Sequence, residues 1–186
     1  MSTQKMKVLG FAGSLRKESY SRSLLREAIK LSPNEMEITE FDLNDIPMFN
    51  EDVEKQGDPT IVNEFKDAIR NSDALLIVTP EYNSGIPGVL KNALDWASRG
   101  GKDAPLLKKP VAIMGSTPGR AGTAQAQSQL RQTLSSTRSF VMVEPQVLIS
   151  EVHKKFDKES QMTDEKTGQY VSRLLESLVK WVTCFK

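Results

Sequence analysis

Cysteine and histidine, two residue types that often act in catalysis through their own side chains, are scarce in the sequence. Its 186 residues include one cysteine, Cys184, and one histidine, His153. A single cysteine excludes an intrachain disulfide and a redox dithiol. His153 lies in a charged stretch and is expected at the surface, so neither a Ser-His-Asp nor a Cys-His arrangement is predicted, and no Cys/His cluster indicates a metal site. Any catalysis is therefore expected to use a cofactor.

Neither sign of charge dominates the chain, and none of its apolar runs is long. The 25 basic residues nearly balance the 24 acidic ones, so no field that would attract nucleic acid or an anionic membrane is expected. No run approaches the ~18 apolar residues of a spanning helix, and residues 1–7 are too polar for a signal peptide. We expect a soluble, cytoplasmic protein that binds neither nucleic acid nor a membrane.

Apolar segments of two kinds alternate along the chain. Short continuous runs are typical of strands covered on both faces of a parallel sheet, and amphipathic segments between them indicate helices. This alternation predicts one α/β domain over residues 1–186, a three-layer α/β/α sandwich. Segments 47–58 and 153–159 are predicted to be loop. The predicted strands are 7–12, 36–41, 74–78, 111–114 and 141–143 with 146–149, and the predicted helices are 21–31, 59–71, 88–99, 121–137 and 164–182.

The first loop, Ser14–Ser21, follows an apolar run that stops at Gly13 and precedes an amphipathic segment. A helix start presents unpaired N–H groups and favours negative charge. Three serines add O–H donors, and Arg16 can bind an anion through two bonds. The pattern predicts a phosphate site, with serines that merely cap the helix as the alternative. Because the loop lacks the glycine spacing of a dinucleotide fingerprint or a P-loop, a mononucleotide is the expected ligand.

Two further loops are predicted at the same edge of the sheet, where ligands of such folds bind. The loop from Thr79 to Gly88 carries two prolines, two glycines and an aromatic residue, and the loop from Gly115 to Gly122 combines hydroxyls with glycines. A fixed backbone beside an aromatic side chain suits a flat heterocycle with hydrogen-bonding edges. A strand-to-helix turn whose prolines only set its geometry is the alternative for the first of these two loops.

Three motifs resemble those of the NADPH-dependent FMN reductase family of flavodoxin-like proteins. They are Gly-Ser-Leu-Arg-x-x-Ser-x-Ser from Gly13, Pro-Glu-Tyr-Asn-x-x-x-Pro-Gly-x-Leu-Lys-Asn-Ala-Leu-Asp-Trp from Pro80, and Lys-Pro-Val from Lys109. The similarity covers about residues 7–149. It implies a flavodoxin-like five-stranded parallel sheet of order 2-1-3-4-5 that binds FMN non-covalently. It also implies a homodimer, often paired into a homotetramer.

The resemblance also implies which residues bind FMN. Those of the first loop would hold or line the phosphate, and those of the other two loops would meet the isoalloxazine ring. The phosphate residues are Ser14, Leu15, Arg16, Ser19, Tyr20 and Ser21, and the ring residues are Pro80, Glu81, Tyr82, Asn83, Ser84, Ser116 and Thr117.

The activity implied by the family is reduction of quinones, azo compounds or other acceptors such as chromate. Electrons would come from NADPH or NADH in a ping-pong, two-electron exchange that needs no catalytic side chain. Two alternatives remain open from the sequence. One is a flavin reductase that supplies free reduced FMN to a monooxygenase, and the other is a flavodoxin-type electron carrier, although such carriers are strongly acidic and lack an arginine in the phosphate loop.

Overall fold

The computed structural model describes residues 5–185, and in it the two longest apolar runs form the central strands of a parallel sheet. These strands are β3 (Ala74–Thr79) and β4 (Pro110–Ser116), and every residue in both is buried. They pair in parallel, with Leu75 opposite Val111. Burial on both faces explains why each strand is continuously apolar instead of alternating.

The remaining strands extend the sheet on both sides. On one side β1 (Met6–Ala12) pairs with β3 and with β2 (Met36–Glu40). On the other side β4 pairs in parallel with β5 (Phe140–Val141) and with β6 (Val147–Ile149). The predicted order 2-1-3-4-5 is therefore confirmed, with its fifth position shared by two short strands. Pro145 lies between them and has no N–H to donate to a ladder.

Helices cover both faces of the sheet. They are α1 (Tyr20–Lys30), α2 (Glu51–Glu54), α3 (Thr60–Arg70), α4 (Gly88–Ala97), α5 (Ala124–Ser136) and α6 (Glu165–Thr183), with 3₁₀ turns at Gly101–Asp103 and Val152–Lys154. One face packs against α1 and α6 in a core that includes Leu24 and Leu175, and the other packs against α3, α4 and α5 around Phe65 and Trp96. None of the helices in residues 5–185 is long and apolar enough to cross a membrane.

The connection at residues 47–58, predicted to be loop, contains the short helix α2. The side chain of Asn50 caps it by accepting a 2.8 Å hydrogen bond from Asp52 N–H. No residue of α2 is buried, so the helix has no periodic apolar pattern that could reveal it. Just before it, the carbonyl of Pro47 accepts a 2.8 Å hydrogen bond from the indole N–H of buried Trp96. This bond ties the connection to α4.

The composition of the charged segment 153–159 predicted a solvated loop. The structure differs, because one residue of the segment is buried. His153 is exposed, but Phe156 is only 7% exposed. Its ring centroid lies 6.1 Å from that of Tyr20 at the start of α1. One apolar residue among six polar neighbours therefore anchors the segment to the core.

Asp164 caps the long helix α6. Its replacement tests how this cap contributes to stability as the pH changes. One carboxylate oxygen accepts 2.8 Å and 2.5 Å hydrogen bonds from the N–H and hydroxyl of Thr167. These bonds, that of the hydroxyl first, lower the pKa of Asp164. We expect Asp164→Ala to lower the free energy of unfolding at pH 7 by about 1 kcal/mol. Chemical denaturation followed by circular dichroism measures this change.

The pH dependence of this loss follows from the direction of the pKa shift. A depressed carboxyl pKa stabilises the fold above the unfolded-state pKa, about 4, and this contribution disappears as the pH falls through the folded-state pKa. The difference between Asp164→Ala and the wild type should therefore shrink toward pH 2. The exposed carboxylate of Glu64 is the control, because Glu64→Ala should change stability little at either pH. An undiminished difference at pH 2 would refute this account.

Candidate functional site

The three loops predicted to bind a ligand meet at the carboxyl edge of the central strands. The hydroxyl oxygens of Ser21 and Ser116 lie 3.4 Å apart, although 95 residues separate them in the sequence. Gly13 N–H donates a 2.8 Å hydrogen bond to the carbonyl of Val78, which joins the ends of β1 and β3. The sequence-predicted loops are thus direct neighbours in space.

A cavity of about 130 Å³ opens between these loops. Most of its lining was predicted from the sequence, and Pro118 is an addition whose only signal was its place in the third loop. Leu15, Glu81, Asn83, Ser84 and Thr117 lie in the predicted loops but do not line it. The lining residues are Ser14, Arg16, Ser19, Tyr20, Ser21, Pro80, Tyr82, Ser116 and Pro118.

Two serines that line this cavity have hydroxyls without a partner. Ser14 and Ser19 are each 4% exposed, and their hydroxyls make no hydrogen bond within residues 5–185. Ser19 occupies the N-cap position of α1, yet its side chain makes no capping bond. Capping is therefore not what these serines do in the structure. Hydroxyl donors that open into a cavity beside the unpaired N–H groups of a helix start suit an anion.

Arg16 extends along the same loop. One of its terminal nitrogens donates a 2.6 Å hydrogen bond to the carbonyl of Glu18, which holds the loop in its curved path. A guanidinium has five N–H donors, so the others stay available to a ligand in the cavity. Leu15, the preceding residue, is 44% exposed and lies outside the cavity.

The second loop is a tight two-residue turn. Asn83 and Ser84 have φ values of 49° and 61°, and Tyr82 and Gly85 exchange two backbone hydrogen bonds of 3.0 Å. Two consecutive positive φ angles are characteristic of a type I′ turn. This turn, together with the prolines, fixes the backbone path of the loop. Tyr82 next to it is 51% exposed.

Helix α5 holds both ends of this turn. The carboxylate of Glu81 accepts a 2.9 Å hydrogen bond from Ala126 N–H, in the first turn of α5. One turn later, the side-chain oxygen of Gln129 accepts a 2.7 Å bond from Ile86 N–H. One carboxylate oxygen of Glu81 is therefore engaged by the helix start. Nothing in the local sequence indicated Gln129, because its partner is 43 residues away.

The third loop is shaped by bonds within the chain. Thr117 donates its N–H to the carbonyl of Ile149 at 2.9 Å, and its hydroxyl accepts a 3.3 Å bond from Gly119 N–H. At the end of β4, a Cβ on Gly115 would lie 2.2 Å from the hydroxyl of Thr123 and 2.6 Å from the carbonyl of Thr79. Only glycine permits β3, β4 and the start of α5 to approach so closely.

A parallel sheet of order 2-1-3-4-5 with helices on both faces defines a protein of the flavodoxin-like fold. The chain belongs to the family of NADPH-dependent FMN reductases, whose model matches residues 6–154. The resemblance of the motifs is thereby confirmed. The chain is accordingly an NAD(P)H-dependent oxidoreductase that uses FMN.

Individual relatives agree with this assignment. The chain is 46% identical to the NAD(P)H-dependent FMN reductase of Pseudomonas aeruginosa, over 95% of each chain. It is 35% identical to 2-hydroxy-1,4-benzoquinone reductase of Burkholderia sp., over 95% of this chain and 96% of that one. Among solved structures, the flavoenzyme NAD(P)H:(acceptor) oxidoreductase FerB of Paracoccus denitrificans has a TM-score of 0.87 and 34% identity, over 96% and 97% of the two chains.

The contact between Gln129 and Ile86 predicts how the second loop is ordered. Gln129→Leu removes the acceptor and should cost about 1 kcal/mol of local stability, which corresponds to roughly fivefold faster amide exchange at Ile86. Gln129→Glu keeps an oxygen acceptor and should preserve the protection. Gln132→Leu, at an exposed position further along α5, is the control. Hydrogen exchange read by NMR distinguishes these variants, and unchanged protection in Gln129→Leu would show that the contact does not order the loop.

Proposed function

We propose that this chain binds FMN non-covalently between its three loops and uses NADPH or NADH to reduce quinones. The observation that carries the proposal is the pair of unpartnered hydroxyls of Ser14 and Ser19, which line the cavity at the start of α1. The family assignment supplies the cofactor class, and these hydroxyls supply a place for its phosphate. The names of relatives that reduce quinones support the choice of acceptor.

The phosphate of FMN would be held by donors of the first loop. Ser14, Ser19 and Ser21 offer hydroxyls, and the first turn of α1 offers N–H groups and the positive end of its dipole. Arg16 adds a charge-assisted bond. Leu15 and Tyr20 would complete this part of the site, with the ring of Tyr20 set by its contact with Phe156.

The isoalloxazine ring would meet the other two loops. The cavity of about 130 Å³ is smaller than the ~300 Å³ of typical ligand pockets, so it would enclose one end of the mononucleotide. Pro80, Ser116 and Thr117 would contact the ring beside this cavity. The turn at Tyr82, Asn83 and Ser84 and the backbone of Glu81 would contact the ring from its exposed side.

Bound FMN supplies two-electron redox chemistry, and the protein supplies position. The rigid turn at residues 82–85, braced by α5, keeps its backbone groups in fixed directions. Tyr82 shields one side of the site from water and leaves another open for the coenzyme and then the acceptor. Azo compounds and chromate belong to the same proposal as alternative acceptors.

We further propose that the chain is one domain and that it forms a homodimer or homotetramer. Analytical ultracentrifugation measures this oligomeric state directly.

The experiment that tests the function compares acceptors. The purified protein should be yellow, and it should oxidise NADPH or NADH with a quinone faster than with free FMN. A colourless protein that reduces only added FMN would instead indicate a flavin reductase. An inability to oxidise either coenzyme with any acceptor would overturn the proposal.

Removing Arg16 tests the phosphate assignment. Arg16→Ala should weaken FMN binding about tenfold to a hundredfold, because a charge-assisted hydrogen bond is worth roughly 1.5–3 kcal/mol. Arg16→Lys keeps the charge without the planar fork and should fall between. Fluorescence titration of the flavin-free protein measures the affinity, with the exposed cation of Lys102 removed as a control. Equal affinity for all these variants would reject the assignment.

Turnover should not depend on the two side chains that most often act as acid, base or nucleophile. His153 and Cys184 are both exposed and outside the three loops. We therefore expect His153→Ala and Cys184→Ser to retain the wild-type kcat and FMN content. A large fall in kcat with full flavin content, in either variant, would reveal a catalytic group outside the proposed site.

A further inference from the structure

The first loop has two faces that line different cavities. Ser14 and Arg16 line the cavity described above, whereas Leu15 and Lys17 line a second one of about 370 Å³. The second cavity lies between this loop, the outer face of α1 and the segment after β2. Its lining consists of Leu15, Lys17, Arg22, Arg26, Asp42 and Asn44.

The lining of this second cavity has an excess of positive charge. Arg22 donates a 2.5 Å hydrogen bond to the carboxylate of Asp42 and lies 3.8 Å from that of Glu40, so the nearby acids are already paired. Lys17 and Arg26 are exposed and form no ion pair or hydrogen bond with any residue from 5 to 185. The chain as a whole has a net charge of only +1. The cations are thus concentrated locally.

This arrangement does not stabilise the helix that carries it. Arg22 and Arg26 are four residues apart on one face of α1, where like charges repel. Lys17 adds a third cation across the cavity. An anion bound among them would relieve the repulsion, and arginine forms two parallel bonds with a phosphate. The apolar side chain of Leu15, 44% exposed at the rim, offers a contact surface for a purine.

We propose that this second cavity binds the 2′-phosphate of the adenosine half of NADPH, and that Lys17 and Arg26 thereby select NADPH over NADH. The inference rests on the proposed function. The 2′-phosphate is the only chemical difference between the two coenzymes, and free cations are the groups that recognise it. Only the backbone of the first loop separates the two cavities. A dinucleotide that crossed this loop would have its nicotinamide end on the side of the cavity proposed for FMN.

Steady-state kinetics test the selection. Arg26→Ala and Lys17→Ala should each raise the KM for NADPH about tenfold, and should leave the KM for NADH and the kcat with either coenzyme unchanged. Arg26→Lys should lie between the wild type and Arg26→Ala. Lys158→Ala removes an exposed cation far along the chain and should change neither KM. An equal change for both coenzymes, or no change for either, would overturn the inference.

Equilibrium binding tests the same site without turnover. Adenosine 2′,5′-bisphosphate should bind the FMN-loaded protein at least tenfold more tightly than 5′-AMP in calorimetric titrations, and Arg26→Ala should abolish the difference. Equal affinities in the wild type would overturn the inference even if the protein is an active reductase. A protein that oxidises neither coenzyme would overturn the proposed function, and a preserved preference for the bisphosphate would still locate the phosphate site.

Discussion

The site depends on how closely three strands and one helix approach at the carboxyl edge of the sheet. β1, β3 and β4 are held in register by parallel ladders and covered by helices on both faces. Gly115 lets the start of α5 contact the ends of β3 and β4, at distances that no side chain would permit. The hydroxyls of Ser21 and Ser116 then come within 3.4 Å. The cavity between the three loops therefore follows from the packing of the core.

The side chains on the two faces of the first loop differ in chemistry. The hydroxyls of Ser14 and Ser19 line the cavity and have no partner within residues 5–185. Polar groups left open in a concave pocket are typical of a ligand-binding site and not of ordinary core. The neighbouring residues Leu15 and Lys17 point to a different surface, so one short segment separates two chemically distinct environments.

Periodicity was enough to predict the principal strands and helices, because β3 and β4 are buried along their whole length and the long helices each bury one apolar stripe. The sheet order came from the family resemblance. It failed for α2, which buries nothing, and for Phe156, a single apolar residue in a charged segment. The cavity lining was largely predictable because it follows strand ends. The pairing of Gln129 with Ile86 and the capping of α5 by Glu81 were not, since both join residues more than 40 positions apart.

The bracing of the second loop by α5 has a consequence for the cooperativity of the protein. Glu81 satisfies an N–H in the first turn of the helix, and Gln129 satisfies an N–H of the loop in return. Fraying of the first turns of α5 would release both bonds together, so loss of order at the helix start would also loosen the loop. The stability of the first turns of α5 therefore contributes to the order of the second loop.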